Sequence, residues 1–442
     1  MKKLIFSIFL SVLFLTSAVH AAADAAAVEG KCMTCHKEKT PGLYRQWYHS
    51  EHGKHNVSCY DCHAAQKGDA DAYLHEGALI ATLVTPKDCS SCHPKEARET
   101  MESHHATAGK ILASNDAYLA HVAGGAPVAI TGCESCHGAD VKIDPSSPNR
   151  LAAASWPNSG IGRINPDGSL GSCNACHTRH SFSKAQARQP ETCGKCHLGP
   201  DHPQKEIYEE SKHGIMYYTN VDKMNLDSDS WVVGVDYFEA PTCATCHMSA
   251  TPKQKVTHDV GMRISWTLRP PVSKKLENAD QRRENMKDVC SNCHEDRFVS
   301  GHYYQYDATV NLYNEKFAKP ATDLMNLVRS RGVMKNKASF SNDIEWTYWE
   351  IWHHEGRRAR HGAAMMGPDY TWWHGIYEVA KHFYFKMIPE ALEYNDPEIN
   401  AWVEQLLSDH EMHDWLNRET AELKNAINSG ELQLNYKSLF EQ

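Results

Sequence analysis

Hydrophobic positions change their pattern twice along the chain. Leu4 to Leu15 is an almost unbroken apolar run, preceded by Lys2 and Lys3 and followed by Val19-His20-Ala21. At about 12 residues it falls short of the roughly 20 that cross a bilayer, and its charged start and small-residue end predict a signal peptide over 1–21. No later apolar run approaches membrane length. In residues 301–442 apolar residues recur at three- and four-residue steps, as in Ile399, Trp402, Val403, Leu406 and Leu407, which predicts long helices with one buried stripe. Breaks are expected at Pro320, Gly332, Gly367-Pro368 and Asn395-Asp396-Pro397.

Between these regions the cysteines decide the picture. All 16 fall in Cys-x-x-Cys-His units. In chain order, Cys32 and Cys35 precede His36, Cys59 and Cys62 precede His63, Cys89 and Cys92 precede His93, and Cys133 and Cys136 precede His137. Then Cys173 and Cys176 precede His177, Cys193 and Cys196 precede His197, Cys243 and Cys246 precede His247, and Cys290 and Cys293 precede His294. Two residues between thiols let both reach the vinyl groups of one porphyrin, and the following histidine then lies beneath the iron. Zinc ribbons do not demand that histidine, and thioredoxin-type pairs do not come in eights. Eight covalently attached haem c groups are expected, with His36, His63, His93, His137, His177, His197, His247 and His294 as proximal ligands.

Eight haems leave about 50 residues for each, too few to build an ordinary core around every one. The porphyrins must form much of the core, wrapped by short helices and loops. The expected class is mainly α: an octahaem module with little sheet over 22–300, then a C-terminal long-helix bundle over 301–442 for packing and subunit contacts.

The formal charge of −9, with no basic block, argues against a nucleic-acid partner. The chain holds 28 histidines, enough for most haems to take a second imidazole and act as electron relays. Distal candidates sit in short polar or glycine-bearing patterns: Ser50-Glu51-His52-Gly53, Lys212-His213-Gly214, Thr257-His258-Asp259 and His353-His354-Glu355-Gly356. A small neighbour would let backbone approach the porphyrin edge. Arg357, Arg358 and Arg360 are open to two readings, haem-propionate partners or a solvated helix face. Asp201-His202, just after the sixth unit, is open to three: packing, an axial ligand, or substrate handling.

The eight units, "CHTRHSFSKAQARQPETCGKCHLGPDHPQKEIYEESKHG", "CATCHM…THDVGMRISWTLRPPVS" and "WHHEGRRARHGAAMMGPDYTWWHGIYE" together resemble the octahaem cytochromes of the hydroxylamine oxidoreductase family over nearly the whole mature chain. The resemblance implies that the catalytic haem is the fourth, above His137, with Asp201 and His202 on its substrate side as an acid-base pair. It implies that His213 and His258 are distal ligands of other haems, with His180 a further candidate. It implies a pocket phenol from Tyr303, Tyr304 or Tyr306, of which Tyr304 is chosen. Relatives specialised for nitrite replace one attachment histidine by lysine; here all eight are histidine, which favours the hydroxylamine oxidoreductase branch.

In the oxidising members a tyrosine from a neighbouring subunit is joined to the catalytic porphyrin. Tyr370 is the candidate, with Tyr377 as the alternative. The direction stays open: hydroxylamine to nitric oxide or nitrite, or nitrite and hydroxylamine to ammonia. A small nitrogen oxide substrate, a c-type cytochrome or a membrane quinol-linked tetrahaem cytochrome as redox partner, a periplasmic location and a homotrimer are the further implications. The rival class is an electron-transfer cytochrome with every haem six-coordinate.

Overall fold

A computed structural model describes residues 30–111, 118–409 and 412–432; the expected signal peptide, 1–21, lies outside the described residues. The chain is mainly helical, as expected. Its only sheet among the described residues is a hairpin, β1 (Tyr73–His75) against β2 (Ala78–Ile80), with Tyr73 opposite Ile80. No helix among them is long and apolar enough to cross a membrane.

Two compact units divide the chain: Met1–Thr192 with Val256–Gly261, and Cys193–Lys255 with Met262–Gln442. The first carries five attachment sites and the second three, together with all of residues 301–442.

The first unit is built of short helices and loops. One of its apolar clusters is small, Leu83, Val141 and Leu151. Polar ties add to it: buried Arg163 donates from Nε to Asn165 Oδ1 at 2.6 Å and from Nη2 to the Val84 carbonyl at 2.8 Å. Around the fourth attachment helix, Cys133–His137, backbone packs on backbone. Ile161 N–H donates to the Cys136 carbonyl and Gly162 N–H to that of His137, both at 2.9 Å. A Cβ on Gly160 would collide with the Gly138 backbone, and Gly138 itself holds φ +82°.

The second unit has a large apolar core, including Tyr313, Phe317, Leu324, Ile351, Val379, Phe383, Ile399 and Val403. The stripe expected from Ile399 packs as read, with Trp402, Leu406 and Leu407 against this core. Gly332 ends the helix Lys319–Arg331 in a left-handed conformation, and Asp396 caps the helix Pro397–Asp409 by accepting from the Glu398 and Ile399 N–H groups.

The expected break at Pro320 does not occur. Helical winding runs from Asp296–Tyr313 through a π-turn, Asn314–Ala318, into Lys319–Arg331. The wider turn just ahead of the proline accommodates the lost N–H bond and the ring's clash with the preceding carbonyl. Further π-turns occur at Glu350–Glu355, Trp372–Tyr377 and Phe383–Met387.

Candidate functional site

Local capping starts several attachment helices. Before Cys59–His63, Ser58 Oγ accepts from Asp61 N–H at 3.2 Å while Asp61 Oδ2 accepts from Ser58 N–H at 2.7 Å. Thr242 and Thr245 form the same box before Cys243–His247. In these two sites the second variable residue of Cys-x-x-Cys fixes the helix start. The helix then sets Cys59, Cys62 and His63, or Cys243, Cys246 and His247, on one short turn.

The sixteen cysteines, read alike in sequence, are not placed alike. Cys35 lies within a helix over 30–39, and its side chain is exposed. Cys92, Cys176, Cys196 and Cys293 lie in turns, just beyond the last helical residue of their sites. Of these, Cys92 and Cys293 are exposed, and Cys176 and Cys196 are partly buried. The motif therefore does not require a full α-helix. The amide of each of these four cysteines donates to the carbonyl of the first cysteine of its site, at 3.0–3.2 Å, the tight three-residue closure. The histidine amide then restores the four-residue closure onto that same carbonyl. His93 donates to Cys89 at 2.8 Å, His177 to Cys173 and His197 to Cys193 at 3.0 Å, and His294 to Cys290 at 2.9 Å. One shared carbonyl thus holds both thiols and the histidine together where no helix continues. Two attachment sites also approach one another, the Cys89 and Cys173 side chains lying side by side.

Six attachment histidines face a second imidazole within one unit; the sixth pair, His197 and His202 at 6.0 Å, is described with Asp201 below. Ring centroids are 6.3 Å apart for His36 and His75, 6.1 Å for His52 and His93, and 6.4 Å for His63 and His180. They are 6.4 Å apart for His177 and His258, and 6.0 Å for His213 and His294. Two metal–nitrogen bonds of about 2 Å each, with ring centres just beyond, place centroids roughly 6.4 Å apart around one ion. The donor set and its spacing therefore fit bis-histidine haem.

The outward nitrogens fit too. His63 Nδ1 donates to the Ala81 carbonyl at 2.8 Å, and His36 Nδ1 lies 2.7 Å from Thr40 Oγ1, leaving each Nε2 for iron. Burial, followed by the facing imidazole, lowers His177 and His180 to about 4, so both are neutral, the form that ligates.

His52 and His213 share one construction. Ser50 Oγ accepts from Gly53 N–H, and Ser211 Oγ accepts from Gly214 N–H, each at 3.1 Å. A Cβ on Gly53 would strike the Trp47 carbonyl, and one on Gly214 the Tyr208 carbonyl. Glycine here admits the last turn of the preceding helix. The result is a tight helix corner that projects the histidine from the second residue of the new helix.

His258 is held by its own N–H, which donates to Glu99 Oε2 at 2.8 Å. His180 lies in the loop after Cys173, Cys176 and His177, its N–H 3.3 Å from Gln46 Oε1. His354 sits in the π-turn, its ring 5.2 Å from that of His353, and burial lowers it to about 4. His75 was missed by sequence reasoning. Its only signal is the Glu76-Gly77 turn behind it, where both residues hold positive φ.

Asp201 and His202 occupy the short loop between His197 and the helix Gln204–Glu210. His202 Nε2 lies 3.5 Å from Asp201 Oδ2, and Arg357 Nη1 lies 3.3 Å from the same oxygen. Arg357 is in turn fixed by donating from Nε to the Arg269 carbonyl at 2.9 Å. His202 Nδ1 is buried and makes no hydrogen bond. Its ring is 6.0 Å from that of His197, tilted by 56°. The polarity is the reverse of that at His36 and His63, since here the carboxylate takes Nε2. His361, which sequence reasoning also missed, is buried in this region, with Nε2 3.3 Å from Gln204 Nε2. Its ionisation is held well down by burial, then by Arg360 and Arg357.

The tyrosines of helix Asp296–Tyr313 separate by burial. Tyr306 packs with Trp266 and Val310, Tyr303 lies over the Arg283 guanidinium at 4.6 Å, and Tyr304 is half exposed. Tyr370 is partly covered, 5.5 Å from the His374 ring. Arg360 is not on a solvated face. It is fully buried, donating to the Pro270 carbonyl at 3.0 Å and Ser273 Oγ at 2.6 Å, while Arg358 pairs with Glu378 at 2.7 Å.

A sequence profile described as "Seven times multi-haem cytochrome CxxCH" matches residues 167–339. A curated relative from Kuenenia stuttgartiensis, "Probable nitrite reductase-hydroxylamine oxidoreductase fusion protein", is 27% identical over 460 residues, 78% of this chain and 49% of its own. The chain thus spans about half the length of that relative. Among solved structures, a "Hypothetical multiheme protein" superposes with TM-score 0.72 at 25% identity, covering 86% of this chain and 96% of its own. A reducing HAO-like protein complex of Kuenenia stuttgartiensis superposes with TM-score 0.64 at 20% identity, covering 87% and 88% respectively.

Proposed function

The chain is a multihaem c-type cytochrome of the hydroxylamine oxidoreductase family, and from that premise we propose that it catalyses multi-electron conversion of small nitrogen compounds. The substrates are hydroxylamine, nitric oxide or nitrite, handled in the periplasm by an exported homotrimer with eight haems per chain. When bound, the haems supply or remove electrons one at a time and offer the substrate nitrogen an iron. The family resemblance assigns that iron to the haem on Cys133 and Cys136, and proton handling to Asp201 and His202.

The observation that carries this reading is the Asp201–His202 arrangement. Reactions of this class move several protons along with several electrons. An imidazole titrates near neutrality, and a carboxylate at Nε2 orients it and stabilises its charged form. Arg357, 3.3 Å from its Oδ2, holds Asp201 in place. The buried Nδ1 of His202 is then the nitrogen that gives or takes the substrate's proton. Tyr304 is the assigned pocket phenol. The imidazole pairs at five other attachment sites serve a relay that exchanges electrons with a c-type cytochrome or a quinol-linked tetrahaem cytochrome.

Absorption and electron paramagnetic resonance spectra, with and without cyanide or nitric oxide, test the proposal. A high-spin fraction of about one haem in eight that shifts on ligand addition is expected. An entirely low-spin protein indifferent to both ligands would leave only an electron wire. Peptide mass spectrometry reads the direction: a haem-bound Tyr370 peptide marks an oxidase. Its absence, with nitrite-dependent oxidation of a reduced viologen dye, marks a reductase.

A further inference from the structure

A cluster outside that site joins two of the C-terminal helices. Glu350 and Glu355 are the first and last residues of one π-turn. Closing a turn over five residues places its ends nearly one above the other, whereas α-helical winding would swing them apart. His382 ends the helix Glu378–His382, immediately before a second π-turn, Phe383–Met387. One potential ligand atom from each of Glu350, Glu355 and His382 lies within 4.8 Å of the other two.

The contacts within the cluster point to a ligand. His382 Nδ1 is 2.5 Å from Glu355 Oε1 and 3.9 Å from Glu350 Oε2. Despite the short approach, Nδ1 is among the buried atoms that make no hydrogen bond, and so is Glu355 Oε2. The Glu355 side chain is only 4% exposed. A carboxylate buried to this degree with one oxygen unsatisfied is costly. Nitrogen and oxygen this close without hydrogen-bond alignment turn lone pairs toward a shared centre.

We propose that Glu350, Glu355 and His382 form a binding site for a divalent transition-metal cation, Zn2+ foremost, which staples the two helices together. One imidazole with two carboxylates suits Zn2+ better than Mg2+ or Ca2+, which take oxygen ligands. Donors about 2 Å from one tetrahedral ion stand roughly 3.3 Å apart. The separations of 2.5 and 3.9 Å here straddle that value. The fourth position falls to solvent at the exposed rim. There Lys386 Nζ, 3.7 Å from Glu350 Oε2, is the resident counter-charge the cation displaces, a surface pair that holds weakly.

The test uses the haem-loaded protein, stripped with a chelator and dialysed against zinc chloride; covalently held haem keeps its iron. Elemental analysis is expected to find one more zinc per chain in wild type than in Glu355→Gln or His382→Gln, with affinity weakened at least tenfold in each variant. Loss of a buried carboxylate alone threatens folding, so Glu350→Gln at the rim is the second variant. X-ray absorption at the zinc edge of wild type needs no variant: one nitrogen and two carboxylate oxygens at about 2.0–2.1 Å are expected. Equal zinc in wild type and all folded variants, or a zinc shell of several imidazoles, would overturn the proposal. Either result would reduce the cluster to a buried ion pair.

Discussion

Arg357 and His202 meet on a single oxygen: Nη1 of the one lies 3.3 Å, and Nε2 of the other 3.5 Å, from Asp201 Oδ2. The carboxylate is therefore shared between a permanent cation and an imidazole. His202→Ala removes the proton carrier, and turnover is expected to fall by roughly 10²–10⁴ with haem content unchanged. Asp201→Asn keeps the shape but loses the charge, and should give a smaller loss together with an altered pH profile of kcat. Steady-state rates with hydroxylamine and nitrite, on protein of verified haem content, check this. Unchanged turnover in His202→Ala would remove the residue from the mechanism.

His75 tests the imidazole pairs. Its ring faces that of His36 at 6.3 Å. His75→Ala should convert one haem per chain from low-spin to high-spin, visible by electron paramagnetic resonance and by a new cyanide-binding component. No change in spin state would show that His75 is not a ligand.

Gly160 lies against the backbone of Gly138, next to the histidine of the fourth attachment helix. A methyl group there has only main chain to displace. Gly160→Ala is expected to cost roughly 2–4 kcal/mol and to lower the thermal midpoint by several degrees. Gly168, at φ +81° with open space around its Cβ position, is the control. Gly168→Ala meets only backbone strain, so its loss should be smaller, about 1 kcal/mol.

Burial lowers the Lys316 ammonium from 10.5 to about 8, against the opposing pull of Asp414. The folded chain releases this proton first. Between about pH 8 and 10.5 the unfolded chain binds more protons, so stability rises with pH through that window. Below about pH 8 the full penalty applies. Lys316→Met should therefore stabilise the protein at pH 7 by about 1–3 kcal/mol. The gain should shrink toward zero near pH 10.5 in thermal melts across pH.

Much of the fold was legible because its signals are local. Cys-x-x-Cys-His is five consecutive residues, the stripe through Ile399 is one helix face, and Gly332 and Asp396 end or start helices by their own chemistry. The motif does not tell which sites wind as helices, as at Cys62, and which close as turns, as at Cys92, Cys176 and Cys196. That difference depends on the caps and prolines around each site. Nor does it tell that Cys35 and Cys92 face outward, since exposure is set by what packs beside them. Pro320 misled because the π-turn that accommodates it is recorded in no single residue. His52, His180, His213 and His258 were legible as candidates, and the structure brings each beside an attachment histidine. Which one it meets depends on chain returning from a distance, as with His63 and His180. His75 carries no motif beyond a turn, and its pairing is set by a hairpin of two three-residue strands. Arg360 is open in sequence to a propionate partner or a solvated face, and only tertiary packing shows it enclosed.

The excursion of Val256–Gly261 into the first unit bears on how the protein is made. His258, on that excursion, faces His177, so the N-terminal stretch cannot complete this imidazole pair from its own residues as it is synthesised. It must wait, cofactors already attached, for a later stretch of polypeptide to arrive. A chain cut at Thr192 would leave His177 without the imidazole it faces, so the first unit is obliged to fold with a stretch made long after it.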